Sequence, residues 1–473
     1  MPAQPVPSAP SAVVVAPNAG YVILIAAAAA MGGFLFGFDT AVINGAVLAL
    51  KQRFNASSLT IGLSVSLALL GSAAGAFVVG PLADRIGRIR CMLIASALFT
   101  ISSIGSGLPF TIYDFIFWRI LGGFGIGMAS VIAPAYIAEC SPAYMRGRLG
   151  SLQQLAIVVG IFAALLGNYA IATAAGSATS PFWFGYEAWR WMFWSAAPPA
   201  IMYGIFALII PESPRFLVAQ GRHAEARVVL ARMIGPHASV KVEEIARTVR
   251  RERKPSLDDL RGRFGLLPIV WIGMGLSLFQ QFVGINVIFY YSSTLWQIVG
   301  FTEENSLLIT MITGFTNIVT TLVAIACIDK FGRKPLLLLG SIGMTITLGA
   351  MAWVFAISPL NAEGFPVLSP SAGLTALFAA NIYVFFFGFS WGPVVWVLLG
   401  EMFNNKIRAS ALALGAGVQW IANFVISTTF PPIAFNLGLG IAYGMYAAFA
   451  LLSLFFVYAF IKETKGKELE EME

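Results

Sequence analysis

Long apolar stretches separated by short polar ones run along almost the whole chain. Apolar runs of roughly 20 residues, the length that crosses a bilayer as a helix, lie near 21–47, 59–83, 91–108, 111–138, 149–174, 189–211, 265–299, 305–328, 335–358, 372–400, 409–434 and 437–461. The pattern predicts about twelve transmembrane helices. Period-2 alternation of short segments, the mark of a membrane barrel, is missing from it, and continuous Gly-rich runs favour packed helices. An all-α membrane protein is therefore expected.

Composition agrees and excludes a soluble domain: 58% of the 473 residues are hydrophobic and 11% charged, against roughly 45–50% and ~25% in soluble domains. The net charge of +7 would suit nucleic acid if it were clustered, but it is spread over short loops. Of the 29 Lys and Arg residues, 25 follow the even-numbered predicted helices, twelve of them in 212–264. By the positive-inside rule those loops and both termini face the cytoplasm of a cell (plasma or inner) membrane. Residues 1–20 are Pro/Ala/Ser-rich without Lys or Arg, so they read as a disordered tail rather than a cleaved signal peptide. Cys91, Cys140 and Cys327 are scattered without ligand spacing, and His223 and His237 sit in the 212–264 loop; no metal site or disulfide is expected. No nucleophile–base constellation or phosphate loop lies within the membrane segments, which argues against an enzyme.

Polar signatures repeat along the chain. "DRIGR" (Asp84 to Arg88) returns as "DKFGR" (Asp329 to Arg333), "ECSPAYMR" (Glu139 to Arg146) as "EMFNNKIR" (Glu401 to Arg408), and "PESPR" (211–215) is echoed by "KETKG" (462–466). The offsets are near-constant and follow helices 2 and 8, 4 and 10, 6 and 12. Two six-helix bundles in parallel repeat are expected, at 21–211 and 265–461, with a substrate site between them. The connecting 212–264 should form short amphipathic helices on the cytoplasmic face, and 462–473 a cytoplasmic tail. Asp84, Arg88, Glu139, Arg146, Asp329, Arg333, Glu401 and Arg408 either anchor helix ends or form an ionic latch that opens and closes; exposed single pairs contribute only about 0–1 kcal/mol, so a latch would need a network.

Two features of the membrane segments suggest chemistry. Gln154, Gln280, Gln281, Asn286, Asn317, Gln419 and Asn423 are amides, which donate and accept without net charge and so match a ligand with many neutral hydroxyls, such as a sugar. Trp396, following Gly392 and Pro393, and Trp420, Phe36, Tyr290 and Tyr291 are aromatic candidates for the C–H face of a pyranose. Secondly, Asp39 and Arg119 are deeply placed charges at similar depth on helices 1 and 4. Each costs about 2.5–3.5 kcal/mol or more on insertion scales, so they are expected to pair. Such a pair can hold or release a proton as helices move, because the guanidinium lowers the carboxylate's pKa when near and burial raises it when far. A static pair that only fixes packing is the alternative.

The motifs "RILGGFGIGMASVIAPAYIAE", "MRGRLGSLQQ", "PESPRFL", "QQFVGINVIFYY", "DKFGRKPL", "SWGPVVWVLLGEMF" and "IRASALALGAGVQWIANF", with those above, resemble the sugar porters of the major facilitator superfamily over about residues 20–470, closest to bacterial proton-coupled xylose and glucose symporters. The resemblance implies the major facilitator fold, uptake of a monosaccharide with a proton by alternating access, no cofactor beyond that proton, and function as a monomer in the lipid bilayer. It carries Gln154, Gln280, Gln281, Asn286, Asn317, Trp396 and Gln419 onto sugar-contacting positions, with Phe36 and Gly392 as lining residues and Tyr290 and Tyr291 as an outer gate. Aspartate at 39 matches the proton-coupled members; the animal facilitators have asparagine. Ile161 stands where the xylose symporters have glutamine and glucose carriers isoleucine, which favours glucose. Lys462 departs from the family's usual proline. The competing expectations are a facilitative uniporter, a pentose/proton symporter and, less well matched by so short a C-terminal tail, a membrane sugar sensor.

Overall fold

The computed structural model describes residues 18–142, 146–251, 260–262, 265–362, 364–403 and 407–463. The expected N-terminal tail up to residue 17 and the C-terminal tail beyond 463 lie outside the described residues, as do the side chains of Arg146, Asp329 and Arg408. Among the described residues, twelve helical spans are long and apolar enough to cross a membrane: Ala19–Gly45, Ser58–Ile86, Arg88–Ser106, Ile112–Cys140, Leu152–Ala175, Ala188–Ile209, Pro268–Ile298, Glu303–Cys327, Arg333–Ile357, Pro370–Met402, Ser410–Asn436 and Leu439–Phe460. They are numbered here spans 1 to 12. Each lies within a few residues of its place in the hydropathy pattern.

Four spans depart from continuous helix. Span 1 tightens into a 3-10 turn at Ile43–Gly45 and resumes as the short helix Val47–Phe54. Span 6 breaks between Trp194 and Ala197, where Pro198 and Pro199 lack the amides to continue the preceding helix. Span 7 breaks at Gly284, whose φ of 85° an L side chain adopts only with strain. Span 10 breaks at Ser390, two residues before Gly392; the proline that follows sits in the first turn of the new helix Trp391–Met402 rather than at the break.

Small residues set the packing within each half. Spans 2 and 4 interlock through Gly71 and Gly75 on one and Gly123 and Gly127 on the other. A methyl added at Gly71 or Gly75 would strike the carbonyls of Ile120 or Phe124, and one at Gly123 or Gly127 those of Ala68 or Ser72. Backbones approach this closely only where no Cβ intervenes, as in membrane helices generally, where packing replaces the hydrophobic drive. Spans 1 and 5 meet in the same way at Gly37, against Ile157, and at Gly160, against Phe34.

The repeated motifs fold into matching clusters at one face, here the basic face. Gly87 and Gly332 both turn with positive φ, 96° and 89°, and start spans 3 and 9. Arg88 reaches Glu139 of span 4 with Nε–Oε2 at 3.0 Å and Nη2–Oε1 at 2.8 Å, and Arg333 reaches Glu401 of span 10 at 3.0 and 2.7 Å. Glu212 accepts the amides of Arg88 and Ile89 at 3.0 and 3.3 Å, and Glu463 those of Arg333 and Lys334 at 3.0 Å each. These carboxylates cap helix N-termini, where the open amides and the helix dipole favour negative charge. Asp84 adds a 3.3 Å contact to Arg88, and Ser213 Oγ donates to Glu139 at 2.5 Å. None of these bonds runs from one six-helix bundle to the other.

Between the halves the chain forms helices Pro214–Ala219, His223–Ile234 and Ala238–Arg251, which bury a separate cluster of Leu217, Val218, Ala226, Leu230, Ala238 and Val242. A two-residue hairpin, Arg261–Gly262 with Gly265–Leu266, leads into span 7. The hydrogen bonds found between the halves gather at the opposite face: Asn44 with span 7, Ser66 Oγ to Thr428 Oγ1 at 2.6 Å, and the Ala178 amide to Glu303 at 2.6 Å. Lys51 Nζ also lies 3.6 Å from the Phe435 ring centroid there.

Replacing Gly127 with Val should overpack spans 2 and 4 and destabilise the protein by about 1–3 kcal/mol, read as a lower melting temperature in detergent. Gly80, in the same span 2 but with open space around it, should tolerate Ala with little or no loss.

Candidate functional site

Asp39 and Arg119 meet side by side. The guanidinium grips both carboxylate oxygens, Nη1–Oδ1 at 2.5 Å and Nη2–Oδ2 at 3.3 Å, and both residues are buried, 8% and 4% exposed. Helix geometry brings them together: Asp39 lies six residues before the end of span 1 and Arg119 seven residues beyond the first residue of span 4, on antiparallel neighbours. A two-pronged pair of this kind is among the stronger hydrogen-bonded arrangements available to side chains. The Phe193 ring stands 5.9 Å from the guanidinium carbon, and Arg119 Nε has no hydrogen-bond partner among the described residues.

The pair borders a narrow cavity lined by Phe36, Thr40, Val65, Ser72 and Ile126 of the first half and by Tyr290 of the second. Tyr290 is thus a residue of the seam, while Tyr291 turns into its own half, donating from its hydroxyl to the Ser427 carbonyl at 2.9 Å and packing on Phe430. The two expected gate tyrosines therefore do different things. Phe36 has two neighbours of note: it lines the Asp39 cavity, and it meets the Trp420 ring edge-on across the seam at 5.8 Å.

Trp420 adjoins Gln419, which enters the amide cluster of the second half. Gln419 Nε2 donates to Gln280 Oε1. Gln280 Nε2 in turn donates to the Trp391 and Gly392 carbonyls, at 2.9 and 3.1 Å, next to the break in span 10. Asn286 Nδ2 donates to Gln281 Oε1 at 2.5 Å across the break at Gly284. The distortion at Gly284 thus joins Gln281 to Asn286, whereas Gln280 turns to span 10. Part of the hydrogen-bonding capacity is consumed internally; Gln419 Oε1 has no partner among the described residues.

The remaining predicted residues are more dispersed. Gln154 is half-buried on span 5; Ile161 is buried there and packs on span 1, its amide beside Gly37. Asn317 is buried on span 8 near Gly388 of span 10, and Trp396 is 44% exposed. Asn44 and Asn168 are among the membrane-embedded amides that the sequence reading did not single out. Asn168 Nδ2 donates to the Val42 carbonyl at 3.0 Å, and Asn44 bridges to span 7. Both satisfy the test that singled out Gln154, an amide inside an apolar run, and that test would have found them. A wider pocket of about 880 Å³ opens at the rim of the opposite face between Arg53, Trp118, Tyr186 and Arg190; both arginines already contact Glu187.

A family model described as "Sugar (and other) transporter" matches residues 25–473. The chain belongs to this sugar transporter family. It is a transporter and not an enzyme, with the major facilitator fold. The transporter is 67% identical to the "Glucose transport protein" of Synechocystis sp. (strain ATCC 27184 / PCC 6803 / Kazusa), across 96% of this chain and 97% of that one. It is 37% identical to the "D-xylose-proton symporter" of Escherichia coli (strain K12), across 96% of both. Among solved structures, the inward-open conformation of the E. coli xylose transporter superposes with a TM-score of 0.82 at 37% identity, covering 95% of this chain and 99% of that one. The proton:xylose symporter bound to 6-bromo-6-deoxy-D-glucose superposes with a TM-score of 0.77 at 37% identity, covering 96% and 99%.

Arg119→Leu should strand Asp39 in a buried site and cost about 3–5 kcal/mol of stability if the carboxylate stays charged. The double replacement Asp39→Asn with Arg119→Leu should recover much of that loss. Melting temperatures of the two variants in one detergent provide the check.

Proposed function

We propose that this chain carries glucose or a related hexose into the cell together with a proton, by alternating access and without chemical change to the sugar. The observation that carries the reading is the buried Asp39–Arg119 pair on a cavity that Tyr290 of the other half completes. A carboxylate held by a guanidinium stays charged; separated from it inside the membrane, it favours a proton. Because the cavity straddles the seam, movement of one half against the other changes what surrounds Asp39. Phe36 and Trp420 link that site to Gln419 and Gln280, so sugar and proton would each bias the same motion. The reading calls for no cofactor beyond the proton and for a single copy of the chain.

Sugar would engage Gln154, Gln280, Gln281, Asn286, Asn317, Trp396 and Gln419, in part by replacing the internal bonds that the cluster makes now. Each such exchange contributes only about 0.5–1.5 kcal/mol net, which favours release as well as capture. Glucose over xylose is supported by the name of the 67% identical relative and by Ile161; the pentose reading rests on the 37% identical symporter. The basic face carries the arginine-rich clusters and the 212–264 helices, so the positive-inside rule puts it, with both termini, in the cytoplasm. The inter-half bonds at the opposite face support reading this as an inward-facing state, as does the higher of the two TM-scores.

One proton driven by about 100 mV supplies ~2.3 kcal/mol, enough for roughly a 50-fold sugar gradient at ~1.4 kcal/mol per tenfold. Proteoliposomes with an inward proton gradient should accumulate labelled glucose above equilibrium; simple equilibration overturns the symport reading in favour of a uniporter. Asp39→Asn should abolish accumulation while sugar counterflow persists, and loss of both in a folded protein assigns Asp39 a structural role. Gln281→Ala should weaken sugar binding about tenfold with folding intact, measured by tryptophan fluorescence titration; unchanged binding removes Gln281 from the site.

A further inference from the structure

The wider cavity at the rim opposite the basic face, about 880 Å³, takes no part in the ion pair or the amide cluster. Spans 3 and 4 build its apolar side. Trp118 of span 4 lies close against span 3 because Gly105 carries no side chain; a methyl there would strike the indole. Ser102 Oγ secures the same turn by donating to the Trp118 carbonyl at 2.6 Å. Ile101, Ile104 and Leu108 recur beside it at helical spacing, and all three are exposed, as are Tyr113 and Phe117 of span 4. An exposed apolar face on a membrane span is a surface for acyl chains. Ile101 lies five residues before the end of span 3 and Trp118 six beyond the first residue of span 4, so the cavity descends about 8–9 Å from the helix ends at ~1.5 Å per residue. That is close to the thickness of the interfacial layer on one side of a bilayer, about 5–8 Å.

The polar end of the cavity holds both signs of charge: Arg53 and Arg190, with Asp114 and Glu187. Arg190 is largely spent, giving Nε to Glu187 at 3.1 Å and Nη1 to the Gly107 carbonyl at 2.8 Å. Glu187 also accepts Trp189 Nε1 at 3.0 Å. Arg53 meets Glu187 only at 3.9 Å, with its side chain 56% exposed, a contact worth little in water. Asp114 gives Oδ2 to the Phe110 amide at 3.0 Å. Among the described residues, Arg53 and Asp114 thus keep most of their hydrogen-bonding capacity, one cationic and one anionic, above an apolar wall.

We propose that this cavity binds a zwitterionic phospholipid of the leaflet opposite the basic face, with its phosphate at Arg53, its ammonium at Asp114 and its upper chains along Ile101, Ile104 and Trp118. An anionic head would satisfy Arg53 but bring negative charge to two carboxylates and leave Asp114 without a cation. A free sugar or phosphate would leave the apolar wall uncovered. The Tyr186 and Trp118 rings suit a quaternary ammonium as well as a primary one, so the shared chemistry is a phosphodiester joined to an amine cation and two acyl chains.

The test uses phosphatidylethanolamine brominated near the carboxyl ends of its chains, which quenches a tryptophan that it touches. In purified, delipidated transporter in detergent, quenching of the unaltered protein minus that of Trp118→Phe separates this cavity from lipid elsewhere on the surface, and the difference should saturate. Unbrominated phosphatidylethanolamine and phosphatidylcholine should displace the probe at similar concentrations; displacement by the first alone supports the site with the amine narrowed to one that donates hydrogen bonds. Phosphatidylglycerol should need about tenfold more, and diacylglycerol or glycerophosphoethanolamine should not displace it at the same concentration. Arg53→Gln should weaken binding about tenfold, the worth of one charge-assisted hydrogen bond. Asp114→Asn, which keeps an oxygen for the Phe110 amide, should weaken phosphatidylethanolamine and strengthen phosphatidylglycerol. Arg222→Gln, in the helices of the basic face and paired there with Glu225, should change nothing. Absence of a saturable difference, displacement by phosphatidylglycerol or diacylglycerol as readily as by phosphatidylethanolamine, or unchanged binding in Arg53→Gln overturns the proposal. The measurement uses neither sugar nor a proton gradient, so its outcome is independent of the symport reading.

Discussion

In hydrocarbon a lone charge or an open carbonyl has no water to turn to, and the arrangement of this molecule follows from where it breaks that rule and how it repairs the breach. Arg119 and Asp39 answer one another. The carbonyls beside the break in span 10 go to Gln280, and one at the end of span 1 goes to Asn168. The departures from regular helix in spans 1 and 10 are thus each met by a side chain from another span.

The halves differ from the seam in how they are built. Inside a half, backbones touch at glycines, and a bidentate arginine with a capping glutamate fastens the helix ends. At the seam the contacts are hydrogen bonds of single hydroxyls and amides, edge-on rings and a narrow cavity. Close-packed interiors resist gradual deformation, whereas an interface of separable polar contacts can have two arrangements. The Arg88–Glu139 and Arg333–Glu401 pairs, the described part of the ionic set, belong to the first kind: each ties helices of one half together.

How much of this was legible beforehand depended on whether a signal was local. Hydropathy located all twelve spans because insertion is decided by composition within a window of about 20 residues. The paired motifs announced a repeat, and two charges at equal depth announced Asp39 with Arg119, since neither is tolerable alone. Orientation about a helix axis was not legible: Tyr290 and Tyr291 are adjacent letters that face different halves, and the break in span 10 falls at Ser390 although Gly392 and Pro393 are the conspicuous residues. Nor was the mutual bonding of Gln280 with Gln419, which depends on contacts 139 residues apart. Asn44 and Asn168 carry the same local signal as Gln154, an amide inside an apolar run, but the partners they reach on other spans are not legible in the sequence.

Glu212 and Glu463 stand just past the last helix of their respective halves, and each reaches back to the first turn of the third. Each half is in effect buckled by its own strap, which resists unwinding at that helix end. The contacts at the seam are separate from these straps, so a substitution at the seam leaves the fastening of each half intact.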